Sequence, residues 1–161
     1  MTLTQEKLQS LLHYDPDTGV FTWKVARQRV KNGDVAGYKK SGYVYISING
    51  KHYRAHRLAF LYVHGEFPKE HTDHINGVRN DNRIANLREA TNSQNMQNLL
   101  VANSNNKTGL LGASVDKATG KFQAQIKLNG KNKFLGRFNT ALEAHHAYVQ
   151  EKRRVHDFCT I

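Results

Sequence analysis

Between positions 71 and 95 the chain reads HTDHINGVRNDNRIANLREATNSQN, a run crowded with His, Asp, Asn and Arg. Asp73 and His74 are adjacent, Asn86 follows His74 by twelve positions, and Asn95 follows Asn86 by nine. An imidazole titrating near its ordinary value can take a proton from water at neutral pH, so His74 is a candidate general base. A carboxylate and an amide oxygen are hard donors, which makes Asp73 and Asn95 candidate ligands for Mg²⁺ or Mn²⁺ rather than zinc. Two protein ligands leave positions on such an ion for water and a substrate phosphate. On a strand, Asp73 and His74 point to opposite sides, so they need either a local distortion or different targets. Taken singly, each residue has a bland reading as a turn, cap or surface residue. Their joint spacing favours an active site.

The flanking pattern says which elements must hold these groups. HTDHI reads as a strand, NGVRNDNR as a loop and ANLREA as a second strand. Thr91 and Gln94 have capping-box spacing, which places a helix from there through Leu100 with Asn95 in its first turn. Upstream, Thr4 caps a helix with Leu8, Leu11 and Leu12 on one face, closed by Pro16 and the Asp17–Gly19 turn. GVFTWKV reads as a strand. Val44, Ile46 and Ile48 alternate with Tyr45 and Ser47 before Asn49-Gly50, the pattern of a β-hairpin. A helix over about 55–63 stops near Gly65 and Pro68.

Composition narrows the partner. Lys and Arg number 24 against 13 Asp and Glu, a net charge of +11. Such a surplus suits a polyanion, because phosphate contacts release condensed counterions. The single cysteine, Cys159, rules out an internal disulfide framework and a cysteine-built zinc knuckle. No stretch approaches the roughly 18 apolar residues of a membrane span, and there is no signal-peptide pattern. The expectation is a soluble cytoplasmic protein without a membrane partner.

These residues resemble the HNH nuclease family and its ββα-metal core. The resemblance implies that Asp73 and Asn95 bind one divalent ion and that His74 activates the attacking water. It also implies that Asn86 braces the loop and orients His74 without touching the metal. The family name has His where Asn95 closes the motif, and the cysteine pairs that staple some members with zinc are absent, so no structural zinc is expected. His56-Arg57 resembles the start of this nuclease subgroup, either contacting phosphate or supporting the core. Arg79, Arg83 and Arg88 are candidates for steadying the scissile phosphate by bidentate contacts; Arg88 reads equally as an exposed strand residue. His71 is either a third ligand or a surface histidine. A zinc site from His64, His71 and His74 has no recognised spacing. LLHYDPDTGVFTWK, GDVAGYKKSGYVYI and YRAHRLAFLYVHGEFP resemble the leader of phage-type HNH endonucleases, so the cell would be a bacterial host.

After the Asn- and Ser-rich stretch VANSNNKTG the pattern changes. Three strand-like runs break at 118–120 and at Asn129-Gly130, and a helix follows with Thr140 and Glu143 as a capping box. Alternation puts Phe122, Ala124, Ile126 and Leu128 on one face and Gln123, Gln125 and Lys127 on the other. Leu135 should face inward and Phe134 outward. The outer face thus mixes amide, cationic and aromatic groups suited to base edges and phosphates. TGLLGASVDKATGKFQAQIKLNGKNKFLGRFNTALEAHHAY resembles an AP2-type DNA-binding domain. The resemblance implies DNA contact by Gln125, Lys127, Phe134 and Arg137, and more loosely by Ser114. Ser114, Lys127 and Asn132 stand where the family has arginines, and Phe122 and Phe134 where Trp is common, so the plant-type target is not expected.

The fold class expected is α+β, with a small hairpin and helix region preceding a ββα-metal core and a three-stranded sheet with one helix following it. The N-terminal region and nuclease core occupy 1–100 (core about 55–100), a linker 101–107, and the AP2-like module 108–161. The expected activity is metal-dependent, homing-like cleavage of double-stranded DNA to 3′-OH and 5′-phosphate ends, by a monomer or homodimer. A non-catalytic DNA-binding regulator on a retained scaffold, or a basic RNA-binding protein, are the alternatives.

Overall fold

The computed structural model describes residues 2–26 and 29–161. The chain divides into two compact units, Met1–Asn92 and Ser93–Ile161.

In the first unit, helix α1 (Gln5–Leu11) starts where expected, with Thr4 Oγ1 accepting from the Lys7 N–H. It does not carry Leu12 on its face. Leu12 opens strand β1 (Leu12–Tyr14), which pairs antiparallel with β2 (Phe21–Trp23). The hairpin buries Leu12, Tyr14, Phe21 and Trp23 together. Burial of one such side chain stabilises by about 1.5–3 kcal/mol, whereas helix propensities differ by only tenths of a kcal/mol, so packing wins over a longer helix.

Strands β3 (Tyr38–Lys40), β4 (Tyr43–Ile48) and β5 (Lys51–Arg54) form an antiparallel sheet in that order. The β4–β5 hairpin is the expected one; Asn49 and Gly50 turn it with φ of 50° and 75°, as a two-residue type I′ turn demands. The edge strand β3 was not anticipated. Ile46 and Ile48 face the core shared with helix α2 (Ala55–His64), which ends at left-handed Gly65.

Strands β6 (His71–His74) and β7 (Leu87–Ala90) pair antiparallel as a separate two-stranded sheet. The second strand begins later than expected, because Ile84–Asn86 forms a 3₁₀ turn closed by Asn86 N–H to Arg83 O. Helix α3 (Asn92–Gln97) follows directly after Thr91. It ends three residues before Leu100, with the Asn98 N–H on Asn95 O. Just beyond, in the second unit, Lys152 Nζ donates to Leu99 O and the Thr160 hydroxyl to Asn98 Oδ1.

The second unit also holds β8 (Ala113–Val115), β9 (Phe122–Leu128) and β10 (Lys131–Phe138), antiparallel in the order β10-β9-β8. Helix α4 (Ala141–Val155) opens with the expected capping box between Thr140 and Glu143. Its Ala144 packs with Ala113 and Ala124, ringed by Phe122, Leu135, Phe138 and Tyr148. Gly112, at φ 77°, lies so close to the Tyr148 ring that a Cβ there would overlap it. Among the described residues, no helix is long and apolar enough to cross a membrane.

Candidate functional site

The two-stranded sheet sets Asp73 and His74 side by side near the end of β6, each only 5% exposed. Strand alternation sends them to different neighbours, the second of the two options open from sequence. Asp73 faces its cross-strand partner Arg88, whose Nε and Nη2 donate to Asp73 Oδ2 at 2.9 and 2.8 Å. Arg88 is therefore held in an ion pair rather than spread on the surface. His74 faces Asn82, with its Nε2 3.4 Å from Asn82 Oδ1. In the tautomer with hydrogen on Nε2, that nitrogen donates to Asn82 and the basic lone pair sits on Nδ1.

Burial pushes the His74 pKa below its ordinary value, more than the Asn82 hydrogen bond and the nearby Asp73 and Asp81 charges hold it up. A neutral imidazole at neutral pH is the form a general base needs. The His56 ring packs perpendicular to that of His74, with centroids 5.0 Å apart. At 3% exposure, His56 is held neutral mainly by burial, then by the positive charges around it, with its pKa driven down to about 3. Of the two readings open for His56 from sequence, the structure places it in the core beside His74. Arg57 donates from Nη1 to Glu70 O and from Nη2 to Pro68 O.

The loop between β6 and β7 is clipped shut by one side chain. Asn86 Oδ1 accepts from the Asn76 N–H, and its Nδ2 donates to Asn76 Oδ1 and to Asp81 O. Asp81 accepts from Asn76 Nδ2 and binds the Arg83 guanidinium, which with Asn76 lowers its pKa to about 2. Arg83, expected as a phosphate contact, is thus paired within its own loop. The N-terminal hairpin supports the same loop from behind. The Tyr14 hydroxyl donates to Asn82 O at 2.8 Å. Gly19, at φ 72°, lies where a Cβ would be 2.4 Å from Arg83 N, so no other residue lets the turn approach this closely.

Asn82, Tyr14 and Tyr43 are site neighbours that the sequence did not reveal. Tyr43 lies 5.5 Å from His56 and 6.1 Å from His74, centroid to centroid. Asn82 reads in the sequence as one more polar residue of the NGVRNDNR loop. Asn95 is half-buried in α3. His71 is exposed at the start of β6, and His64 lies against Phe60 at the end of α2. Among the described residues, no group of three or more His, Cys, Asp or Glu is gathered to hold a metal, so His64, His71 and His74 do not assemble a zinc centre.

In the second unit, the cross-strand register brings the other expected residues onto one face. Ser114 pairs with Gln123, Gln123 with Arg137, Gln125 with Phe134, and Lys127 with Asn132. A bulge at Leu135 shifts the register between Phe134 and Gly136. That extra residue turns Leu135 inward and lets Phe134 and Arg137 share the outer face, which simple alternation would forbid. The Arg137 guanidinium sits 5.5 Å from the Phe134 ring centre, and its Nε donates to Asp116, whose carboxyl it holds below the usual range.

No curated protein and no solved structure matches the chain. Residues 53–97 do match a family model, that of the HNH endonucleases. The matched segment runs from the end of β5 to the end of α3 and takes in His56, Asp73, His74, Asn86 and Asn95. This part of the chain is similar to HNH endonucleases, and that similarity supports a nuclease acting on nucleic acid.

Proposed function

We propose that the protein is a metal-dependent DNA endonuclease of HNH type, homing-like and phage-borne, with an AP2-like DNA-reading module following its nuclease core. The observation that carries this reading is the buried Asp73–His74 pair on a two-stranded sheet, its loop clipped by Asn86, inside the segment similar to HNH endonucleases. Residues 1–100 would hold the cleavage function and residues 108–161 the sequence reading, joined through 101–107.

The donor set suits a hard divalent ion of the Mg²⁺ or Mn²⁺ kind. Asp73, whose carboxylate also accepts from the Arg88 guanidinium, would supply one ligand and Asn95 an amide oxygen. Such an ion, when bound, offsets negative charge developing on the phosphate and leaving oxygen. His74 takes a proton from water as the water oxygen bonds to phosphorus. The bond from phosphorus to the 3′ oxygen breaks, and that oxygen takes a proton from solvent water to become a 3′-OH, opposite a 5′-phosphate. Burial keeps His74 neutral for this task, while His56, Tyr43 and Asn82 fix its ring. In the second unit, Gln125, Lys127, Phe134, Arg137 and Ser114 would meet double-stranded DNA. The family model's segment ends at Gln97, so the DNA-reading role rests on the makeup of that sheet face and its AP2 resemblance.

Product ends test the chemistry. Nicks made in plasmid DNA with Mg²⁺ should be resealed by a DNA ligase, which requires a 3′-OH beside a 5′-phosphate. Nicks that ligase cannot close until the ends are repaired would contradict water attack with 3′-oxygen departure. DNA binding with no nick under any divalent ion would favour a non-catalytic regulator.

A further inference from the structure

The sheet of β3, β4 and β5 has a second face, turned away from Ile46 and Ile48. Tyr38, Tyr45 and Arg54 lie in one row across its three strands, and Lys40 and Tyr43 in the next. The Tyr38 and Tyr45 rings are nearly parallel, 22° apart, with centroids at 6.0 Å, and Tyr38 is 45% exposed. The Arg54 guanidinium lies 4.8 Å from the Tyr43 ring centre, and its Nε donates to the Tyr45 hydroxyl. From the β6–β7 loop, Arg79 reaches the same Tyr43 ring at 5.3 Å.

Two observations separate this face from an ordinary solvated sheet. The segment 38–54 holds four Lys or Arg and no Asp or Glu. Arg83, Arg88 and Arg137 are each bound to a carboxylate, whereas Arg54 and Arg79 have no carboxylate partner among the described residues and rest on tyrosine rings instead. Guanidinium groups pre-placed on aromatic rings and left without counter-charge suit phosphate, and exposed rings suit sugars and bases. The face is also continuous with the candidate site, since Tyr43 touches both His56 and His74.

We propose that the outer face of β3–β4–β5 is a DNA-binding surface of the nuclease unit, holding the strand to be cut on its way to His74. Lys40, Arg54 and Arg79 bind its phosphates, and Tyr38 and Tyr45 pack on the adjoining sugars and bases. This rests on the endonuclease reading for the identity of the polyanion, and it gives the nuclease unit its own grip on substrate.

The test uses the full chain in EDTA, where binding is read without cutting. A random-sequence duplex carrying 5-iododeoxyuridine is irradiated on the protein, and cross-linked peptides are identified by mass spectrometry. Cross-links at Tyr38, Tyr43 or Tyr45 are expected. In parallel, the double variant Lys40→Gln/Arg54→Gln should lower the slope of log affinity against log salt by about 1.8, near 0.9 for each phosphate contact removed. Tyr38→Ala should weaken binding on the order of tenfold at fixed salt. Unchanged Trp23 emission in each variant shows that the unit remains folded. Cross-links confined to residues 113–138 with an unchanged slope would overturn the proposal, as would RNA of the same sequence competing better than DNA. Plasmid cutting by a protein that fails this test refutes the surface alone. Cross-links on Tyr38 to Tyr45 from a protein that never cuts refute the nuclease reading and leave the surface standing.

Discussion

His56 should make the stability of the first unit fall steeply in mild acid. Its imidazole is buried against His74 and Tyr43, and its folded pKa lies at about 3 against an ordinary 6.5. Unfolding returns it to water, where it picks up a proton below pH 6.5, so acid favours the unfolded chain. The contribution is fully present above the unfolded value and is lost as pH falls from 6.5 toward 3. With those two values, linkage gives a loss of about 2 kcal/mol at about pH 5 and about 3 kcal/mol at about pH 4. Against a typical domain stability of roughly 5–15 kcal/mol, that is a large share. Trp23, the only tryptophan, is buried in the same core, so its emission reports unfolding of this unit selectively. Urea titrations followed at Trp23 at about pH 7 and about pH 5 should show wild-type protein losing stability, and His56→Gln losing about 2 kcal/mol less over the same interval. The variant's absolute stability is immaterial, because only the change with pH is compared. Equal pH dependence in the two proteins would refute the linkage.

Three further outcomes follow from individual contacts. Asn86→Ala removes three side-chain hydrogen bonds from the β6–β7 loop; Trp23-monitored stability should drop by about 2–3 kcal/mol, and a drop under about 0.5 kcal/mol would show that the clip is not needed. Gly112→Ala puts a Cβ on a left-handed residue and into the Tyr148 ring, so circular dichroism melts should show the second unit losing more than about 2 kcal/mol, and an unshifted melt would contradict the packing. Replacing Gln125 and Lys127 together by Ala should flatten the preference among DNA sequences in competition binding while the nicking rate on saturating plasmid stays within a few-fold; loss of nicking with selectivity intact would reverse those roles.

What could be read from sequence was what local chemistry dictates. The Asn49-Gly50 turn, the Gly65 stop, the Thr140–Glu143 box and the alternation of β9 all depend on near neighbours, and each stands where expected. The errors arose where distant packing outweighs local preference. Leu12 leaves the helix because Trp23 and Phe21 offer it a hairpin. Ala85 and Asn86 leave the strand because the loop closes through a 3₁₀ turn. The candidate site divides the same way. Asp73, His74 and Asn86 stood out by type and spacing, whereas Tyr43 and Tyr14 come to them from two distant segments and Asn82 is one of several asparagines in their own loop. The partners of the arginines also lay beyond sequence: Arg57 donates to the Glu70 and Pro68 carbonyls, Arg83 pairs with Asp81 and Arg88 with Asp73, while Arg54 and Arg79 rest on the Tyr43 ring.

The proposed metal-dependent cutting of DNA with His74 as base can be tested directly. Supercoiled plasmid should be incubated with wild-type protein and with His74→Ala, each in Mg²⁺, Mn²⁺ or EDTA, and resolved on an agarose gel. Conversion to open-circle or linear DNA is expected only with wild type and a divalent ion, with His74→Ala still shifting DNA in a binding gel. Cutting by His74→Ala at the wild-type rate, or cutting undiminished in EDTA, would contradict it.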